Sequence, residues 1–165
     1  MLISTPPTSP ATQGAGSNYT NPRIEPPDHA IGRSRGGLTS KIHLLCDGLG
    51  RPLRLRLTGG EKADCQSATT LLAGQSAKAV IADKGYDTNE VRAFIRSKKM
   101  KAVIPAKCSR KHQYRHDKQL YAQRNRIERC FDRLKIYRRI ATRFDRNDTH
   151  FISFLYLACS LFWLN

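Results

Sequence analysis

The stretch YAQRNRIERCFDRLK, residues 121–135, has the pattern of an amphipathic helix with a strongly basic outer face. Its apolar side chains Ile127, Phe131 and Leu134 recur at helical spacing, which predicts one buried stripe. At 100° per residue, four other side chains fall within an arc of about 60° beside that stripe: Tyr121, Arg124, Glu128 and Lys135. A counter-charge that faced solvent would more naturally lie on the outer side, among Arg126, Arg129 and Arg133. The spacing thus assigns Glu128 to the edge of the buried face.

The charge of the chain is high and concentrated around this stretch. The 165 residues suit one domain with a core, and the 39% apolar content is typical of a globular protein. The net charge is +16, and the segment from Arg92 to Arg143 holds 18 Lys or Arg against three acids. An enzyme of small molecules has no need of such self-repulsion, which a phosphate backbone would relieve. The charge therefore predicts a surface for nucleic acid, against the alternative of a solvated charged face.

Cysteine usage and hydropathy bear on the cellular compartment. The five cysteines are scattered and form no CxxC pair, which is typical of free thiols in a reducing cytoplasm. The N-terminus has neither a basic start nor an apolar run. The apolar stretch at 151–164 is too short to span a bilayer comfortably and predicts a buried core helix. We therefore expect a cytoplasmic, nucleoid-associated protein without a membrane partner.

The N-terminal tract differs in composition from the rest of the chain. Residues 4–27 are Pro, Ser, Thr or Gly at 15 of 24 positions, with almost no aliphatic content. Such a tract buries too little surface to offset the entropy of ordering it. We therefore expect residues 1–27 to be disordered, and their composition is also what out-of-frame translation could give. The globular part, residues 28–165, is expected to form one domain.

Strand and helix patterns alternate through the globular part. Residues 38–46 and 52–58 predict a hairpin around the turn at Asp47-Gly48, and residues 79–83 predict a strand buried on both faces. A helix over 88–99, capped by Thr88 or Asn89, leads to a short strand at 102–105. A long helix from about Lys118 to Arg143 and the apolar terminal helix follow. This order predicts a mixed α/β sheet covered by helices.

Asp83 follows the strand AVIA and precedes the turn KGYD. The carboxyl end of a strand in an open α/β sheet is where catalytic groups lie. Asp is also an ordinary turn residue, so its position alone leaves both roles open. An aspartate at a strand end together with Glu128 on a helix is nevertheless the carboxylate pattern that binds Mg²⁺ for phosphoryl chemistry.

The spacing of Tyr121, Arg124, Glu128 and Lys135 resembles the Y-R-E-K signature of bacterial insertion-sequence transposases of the DDE group. The similarity extends to DHAIGRSRGGLTSKIH, IADKGYD, RNRIERCFDRLKIYRRIATRFD and the apolar tail, and covers about residues 25 to 165. It implies an RNase H-like catalytic core. It also implies Mg²⁺-dependent (or Mn²⁺-dependent) cleavage of double-stranded DNA at inverted repeats, then strand transfer to target DNA.

The resemblance also implies roles for individual residues. Asp83 and Glu128 become the second and third acids of the catalytic triad and its metal ligands. Tyr121, Arg124 and Lys135 become the partners that position the transposon end. Together with the basic outer face they form the expected DNA-binding set: Tyr121, Arg124, Lys135, Arg126, Arg129, Arg133 and Arg138.

One part of the family pattern has no evident counterpart in the sequence. The first acid of the family lies on the first sheet strand, yet no Asp precedes Asp28, and Asp28 matches an ordinary position after that strand. We therefore expect the first strand to be missing and residues 28–165 to be the C-terminal part of a catalytic domain. A bare sheet edge would then invite self-association or pairing with a first-frame product.

Three functions remain open from the sequence. The leading hypothesis is a transposase that is incomplete or a second-frame product, with little activity alone. The alternative is a non-catalytic DNA-binding protein that modulates a full-length transposase. A general RNase H-like nuclease is the third, which the full signature makes less favoured.

Overall fold

Seven strands form one mixed sheet in the computed structural model, which describes residues 1–5, 9–12 and 29–164. The strands are β1 (Leu2–Ser4), β2 (Ser9–Pro10), β3 (Gly32–Ser34), β4 (Gly37–Cys46), β5 (Pro52–Gly59), β6 (Ala79–Ala82) and β7 (Lys101–Val103). The central spatial order is β5-β4-β1-β6-β7, and β2 and β3 add to β4. β1, β6 and β7 run parallel, while β4 is antiparallel to its two neighbours in this order, β1 and β5.

Six α-helices cover the sheet: α1 (Ala68–Leu72), α2 (Asn89–Ser97), α3 (Lys118–Ala122), α4 (Asn125–Lys135), α5 (Arg138–Ala141) and α6 (Asp148–Ser160). Short 3-10 turns occupy Asp64–Ser67 and Lys84–Tyr86. α1 and α2 pack on one face of the sheet, around Ile3 and Leu45. α4 and α6 pack on the other face, around Leu2 and Leu44. Both faces of the central strands are buried, so the mixed α/β fold expected from the sequence, an RNase H-like sheet flanked by helices, is confirmed.

The prediction that the first strand is missing is wrong. β1 lies between β4 and β6 at the centre of the sheet, with Leu2, Ile3 and Ser4 all buried. Three residues are too few to show the alternation of a strand. The composition of the N-terminal region is dominated by the polar tract that follows them. Their hydrogen-bonding partners come from β4 and β6, which lie far away in the sequence. The core at the centre of the sheet therefore includes residues from the predicted disordered tract.

The remainder of that tract is described only in part. Ser9–Pro10 pairs with β4, and Ala11 bridges to Arg143, so this segment is also ordered, contrary to prediction. Residues 6–8 and 13–28, including Asp28, lie outside the described residues.

The hairpin, β6 and α2 agree with the sequence prediction. α2 begins after Thr88, whose Oγ1 accepts a hydrogen bond from the N–H of Val91 at 3.2 Å. Such a cap satisfies one of the amides that a helix N-terminus leaves without an intrahelical partner. The β4–β5 pairing begins at Cys46–Pro52, with an irregular register between Leu45 and Cys46.

The predicted long helix over 118–143 is three helices. At the first interruption the hydrogen bonds span three residues, because the N–H of Arg124 donates to the carbonyl of Tyr121 at 2.9 Å. The backbone angles of Gln123 and Arg124 nevertheless stay helical. The second interruption is a true turn, because Tyr137 is extended, with ψ of 112°. Its ring meets Phe154 of α6 edge-on at 6.1 Å. Tyr121 therefore keeps its helical relation to α4, whereas Arg138 does not.

The terminal helix α6 is only half buried. Phe151, Leu155, Ala158 and Cys159 face the core, while Tyr156 and Leu157 are exposed. The predicted core helix therefore packs against the core with one face only, and its other face is exposed. Among the described residues, no helix is long and apolar enough to cross a membrane.

Candidate active site

A cavity of about 180 Å³ opens where β1 and β6 end, against α4. We call it the carboxylate cavity. Its lining residues are Ser4, Thr5, Asp83, Arg124, Glu128, Phe131, Asp132 and Lys135. The structure thus brings together the two predicted acids, Asp83 and Glu128, and two of the predicted DNA-binding residues, Arg124 and Lys135.

Asp83 has the turn role that its position suggested, and it also lines the carboxylate cavity. It lies directly after β6 and caps the following turn, where its Oδ1 accepts a hydrogen bond from the N–H of Gly85 at 2.8 Å. Burial raises the pKa of Asp83, and the nearby negative charge of Asp64 acts in the same direction. The Gly85 N–H and the Arg124 guanidinium oppose this shift. The raised pKa indicates a carboxylate that a nearby cation would stabilise.

Gly85 lies between two carboxylates. A Cβ on Gly85 would be 3.0 Å from Oδ1 of Asp83 and 3.3 Å from Oδ2 of Asp64. Asp64 is also ion-paired with Lys41 at 3.0 Å. The position of Asp64 beside Gly85 could not be predicted, because the DCQS segment that it begins carries no catalytic pattern.

Glu128 faces the cavity mouth rather than the core. Its side chain is 49% exposed and forms an ion pair with Arg124, one helical turn away. The Arg124 guanidinium also lies over the ring of Tyr121, 5.7 Å from its centroid. Burial raises the pKa of Tyr121, and the charges of Asp83 and Glu128 add to the shift, so Tyr121 lies within their field. Arg124, Glu128 and Lys135 therefore line one opening, and Tyr121 lies beside Arg124 without lining it.

Ser4 and Thr5 stand beside Asp83 at the same edge of the sheet. In the parallel register, Ile3 pairs with Ala82, which brings the next residues, Ser4 and Asp83, side by side. Ser4 ends β1 and is 4% exposed. This neighbour could not be predicted from local sequence, because the two residues are 79 positions apart.

A hydrogen-bonded network lies behind Thr5. Its Oγ1 is 2.9 Å from Nδ1 of His43 and 2.6 Å from the hydroxyl of Tyr86. The other ring nitrogen of His43 is 2.8 Å from Oγ1 of Thr58. Both His43 and Tyr86 are fully buried, and burial lowers the pKa of His43 to about 4. An uncharged network therefore fixes the end of β1 beside the cavity.

The loop next to Asp83 is held by a buried aspartate. Both oxygens of Asp87 are engaged, Oδ1 by Arg92 and Oδ2 by Arg110, each at 2.6 Å. Oδ2 also accepts the N–H of Lys107 at 2.8 Å. Burial acts to raise the pKa of Asp87, but these hydrogen bonds and charges bring it below its ordinary value. Asp87 therefore has a structural role, since its carboxylate oxygens are occupied by other groups of the protein.

The remaining predicted DNA-binding residues lie elsewhere. Arg126, Arg129 and Arg133 line a second cavity on the opposite side of α4. Arg138 lines neither cavity, and its guanidinium lies 5.5 Å from the ring centroid of Phe144.

The residues of the carboxylate cavity do not form a complete site for divalent metal ions. Asp83, Glu128 and Asp132 all line it, yet no group of three His, Cys, Asp or Glu in the described parts of the chain is placed to hold one ion. Ser4, which sits beside Asp83, offers a hydroxyl instead of a carboxylate. Hard divalent cations need converging carboxylate charge as well as oxygen ligands, so carboxylates that do not converge on one point fit such a centre only in part.

Comparison with known proteins assigns the fold to a family. Residues 4–163 match the family model of the transposase DDE domain. A protein from Brucella ovis, named for the transposase of insertion sequence element IS6501, is 42% identical over 129 residues, which are 77% of this chain and 99% of that protein. A protein from Burkholderia cepacia, named for the transposase of IS402, is 30% identical over 145 residues, covering 81% of this chain and 65% of that protein. No solved structure matches.

The family generally uses divalent metal ions and acts on DNA. The family model covers almost the whole chain, and both relatives are named for insertion-sequence transposases. The chain therefore belongs to the DDE transposases of bacterial insertion sequences, proteins of DNA transposition.

Proposed function

We propose that this chain is a transposase catalytic domain with an incomplete carboxylate site, and that alone it has little or no cleavage or strand-transfer activity. The supporting observation is Ser4. It ends the first strand, where the family resemblance expects the first acid, and it lines one cavity with Asp83 and Glu128. A hydroxyl contributes no negative charge to offset a divalent cation. In this proposal the first acid of the family is absent at the Ser4 position, and its strand is present.

Asp83 and Glu128 are the two acids that we assign to catalysis and to Mg²⁺ or Mn²⁺ binding. The raised pKa of Asp83 and its place on a buried strand end support its assignment. The ion pair between Glu128 and Arg124 holds the glutamate at the cavity mouth. Without a bound metal ion, the guanidinium of Arg124 balances the negative charge of Glu128. Glu128 would have to leave this ion pair in order to hold a cation.

Arg124 and Lys135 line the same opening, Tyr121 lies beside Arg124, and all three are proposed to hold the transposon end. Two of them are cations beside two acids, an arrangement that suits a phosphate approaching a metal site. The proposed target is double-stranded DNA, and further contacts come from the basic residues outside the cavity, Arg126, Arg129, Arg133 and Arg138.

A second candidate function follows from the same observation. A chain that keeps its basic surface but lacks one acid could bind DNA without cutting it, and so modulate a full-length transposase. Self-association or pairing with a first-frame product would be the route to such modulation. The charge of +16 supports DNA binding in either case.

The substitution Ser4→Asp tests the proposal directly. It adds a carboxylate beside Asp83, so we expect Mn²⁺ to bind at least about tenfold more tightly, the size of effect that even an outer ligand partner has on metal affinity. Electron paramagnetic resonance of free Mn²⁺ measures this. Ser4→Asn is the matched control, because it adds similar volume without charge. Equal affinity in the folded Ser4→Asp and Ser4→Asn proteins would remove Ser4 from the site.

The activity test uses duplex DNA that carries the terminal repeats flanking the gene. With Mg²⁺, we expect no 3′-end cleavage by the unchanged chain, cleavage by Ser4→Asp, and none by Ser4→Asp with Glu128→Gln. Unchanged DNA binding in all three proteins shows that the substitutions affect chemistry. Efficient cleavage by the unchanged chain would contradict the proposal, and cleavage that survives Glu128→Gln would exclude Glu128 from catalysis.

A further inference from the structure

A second cavity of about 540 Å³ lies between the tip of the β4–β5 hairpin, α4 and the C-terminal segment. Four arginines line it, Arg51 from the hairpin and three from α4: Arg126, Arg129 and Arg133. We call this cavity the arginine groove. Its other lining residues are Leu49, Gly50, Cys130 and Phe162, so no acid is among them.

Aromatic rings support two of these arginines. The guanidinium of Arg133 lies 4.2 Å from the ring centroid of Phe162, and that of Arg51 lies 4.4 Å from the centroid of Trp163. Trp163 is itself fixed, because its Nε1 donates to the carbonyl of Pro52 at 2.9 Å. Stacking on a ring orients a guanidinium without using its N–H donors. These two arginines are therefore held in place while keeping donors for a ligand.

The protein provides little charge compensation within the groove. Arg51 pairs with Asp47 at 2.7 Å, and Arg126 donates to the carbonyl of Gly48. In the part of the chain that the structure describes, Arg129 donates a side-chain hydrogen bond only to Asn125, at the long distance of 3.5 Å. Within the described residues, Arg133 has no ion pair with an acid. One acid against four guanidinium groups leaves a strong positive field, which an anionic ligand would relieve.

The hairpin tip is brought close to α4 by a glycine. Gly50 has φ of +87°, and a Cβ there would be 3.0 Å from the carbonyl oxygen of Arg126. Only glycine allows both this backbone conformation and this approach without strain. The close contact between Gly50 and α4 sets the position of Arg51 relative to the arginines of α4.

The dimensions of the groove suit a polyanion. Arg126 and Arg133 are seven residues apart on α4, which corresponds to about 10 Å along the helix axis. A DNA duplex carries one phosphate charge for about every 1.7 Å of its axis, so a row of this length spans more than one phosphate. A single small anion could contact only part of this row. The ligand class that fits is the sugar-phosphate backbone of DNA.

The groove is separate from the carboxylate cavity. Arg124, just before α4, and residues 128, 131, 132 and 135 of α4 line the cavity, whereas residues 126, 129, 130 and 133 line the groove. At 100° per residue, the two sets face opposite sides of the helix. A nucleic acid bound in the groove therefore does not need the acids or a metal ion.

We propose that the arginine groove is a metal-independent binding site for the DNA backbone that does not read sequence. Arg129 and Arg133 contact phosphates, and the aromatic rings of Phe162 and Trp163 position Arg133 and Arg51. This extends the proposed function, since it rests on DNA as the substrate of the chain, but it does not depend on the catalytic roles of Asp83 and Glu128.

Binding of a random-sequence duplex, measured by fluorescence anisotropy over a salt series in EDTA, tests the site. The slope of log K against log salt is about −0.9 for each phosphate neutralised. We expect Arg129→Gln and Arg133→Gln each to reduce this slope by about one contact, and the double variant by about two. Arg96→Gln is the matched control, because Arg96 is exposed on α2, on the other face of the sheet, and the charge loss is the same.

Three results would overturn the proposal. Arg96→Gln could reduce the slope as much as Arg129→Gln, which would mean that only net charge matters. The slope could stay unchanged in the folded Arg129→Gln and Arg133→Gln proteins. Inorganic phosphate could compete with the duplex at equal phosphate concentration, which would indicate a single-anion site. Absence of DNA binding by the unchanged chain would instead contradict the proposed function, and binding unaffected by Asp83→Asn would confirm that the two sites are independent.

Discussion

Helix α4 has the carboxylate cavity on one side and the arginine groove on the other, and the two differ in what stabilises them. The cavity is backed by buried, uncharged hydrogen-bonded groups, Thr5, His43 and Tyr86, at the centre of the sheet. The groove is an open surface, where aromatic rings and one glycine position arginines that remain largely uncompensated. Changes near the cavity should therefore affect folding strongly, whereas changes in the groove should affect mainly DNA binding.

Acidic pH should destabilise the folded protein through the buried His43 on the cavity side. His43 has a pKa of about 4 in the folded protein, against an ordinary value of about 6.5 when unfolded. Between these values the unfolded chain binds the extra proton, so stability falls as the pH falls from 6.5 towards 4. The shift corresponds to a loss of about 3 kcal/mol in the free energy of unfolding. The raised pKa of Asp83 acts with the opposite sign and favours the folded protein at lower pH.

Urea unfolding of the unchanged chain at pH 7 and at pH 4.5 measures this loss. His43→Gln should flatten the dependence, and His112→Gln, at an exposed imidazole, should leave it unchanged. DNA binding in the groove should weaken only as the unfolded fraction grows. A flat profile in the unchanged chain would show that His43 is not buried in its neutral form.

Thr5→Val is the next largest change. Valine has a similar shape, but it leaves Nδ1 of His43 and the hydroxyl of Tyr86 without their shared partner. Buried groups that lose a partner cost about 1–3 kcal/mol, so we expect the free energy of unfolding to fall by about 2 kcal/mol. Chemical denaturation measures it, with Thr70→Val as the control, since Thr70 is exposed and its hydroxyl meets only Arg56. Equal losses in both variants would argue against a special role for the network.

Gly50→Ala tests the groove side and should have the smallest effect on stability. The residue would be forced to hold a left-handed conformation and to meet the carbonyl of Arg126, at a cost of about 1 kcal/mol or slightly more. If the hairpin tip shifts to relieve this strain, Arg51 moves with it and DNA binding weakens. Gly48→Ala is the control, because a Cβ there meets nothing within 4 Å. Thermal unfolding and anisotropy on the same proteins would show whether stability and DNA binding change together.

The sequence predicted well those features whose determinants are local. The β4–β5 hairpin follows from its turn and alternation, and α2 follows from its cap at Thr88. The proximity of Arg124, Glu128 and Lys135 follows from helical spacing alone, which the shortened hydrogen bonds at Arg124 do not disturb. The end of the helix at Tyr137 was missed, because its cause is the contact with Phe154 on another helix.

The first strand shows why the other features could not be predicted. Leu2–Ser4 has no period to detect, and a Pro-rich tract follows it. It forms a strand because it lies between β4 and β6, which provide its backbone hydrogen bonds. Its two apolar side chains are buried there. Short strands of this kind depend on partners that are distant in the sequence.

By itself, the sequence determined the α/β class, the basic character and the set Tyr121, Arg124, Glu128 and Lys135, because periodicity, charge and helical spacing are local properties. Only the tertiary structure decided that Ser4 stands beside Asp83, and that Arg51 joins the arginines of α4 in one groove. These neighbours are brought together by sheet register and by the close approach of Gly50 to α4. Both depend on packing between segments that are far apart in the chain, so no window of sequence contains them.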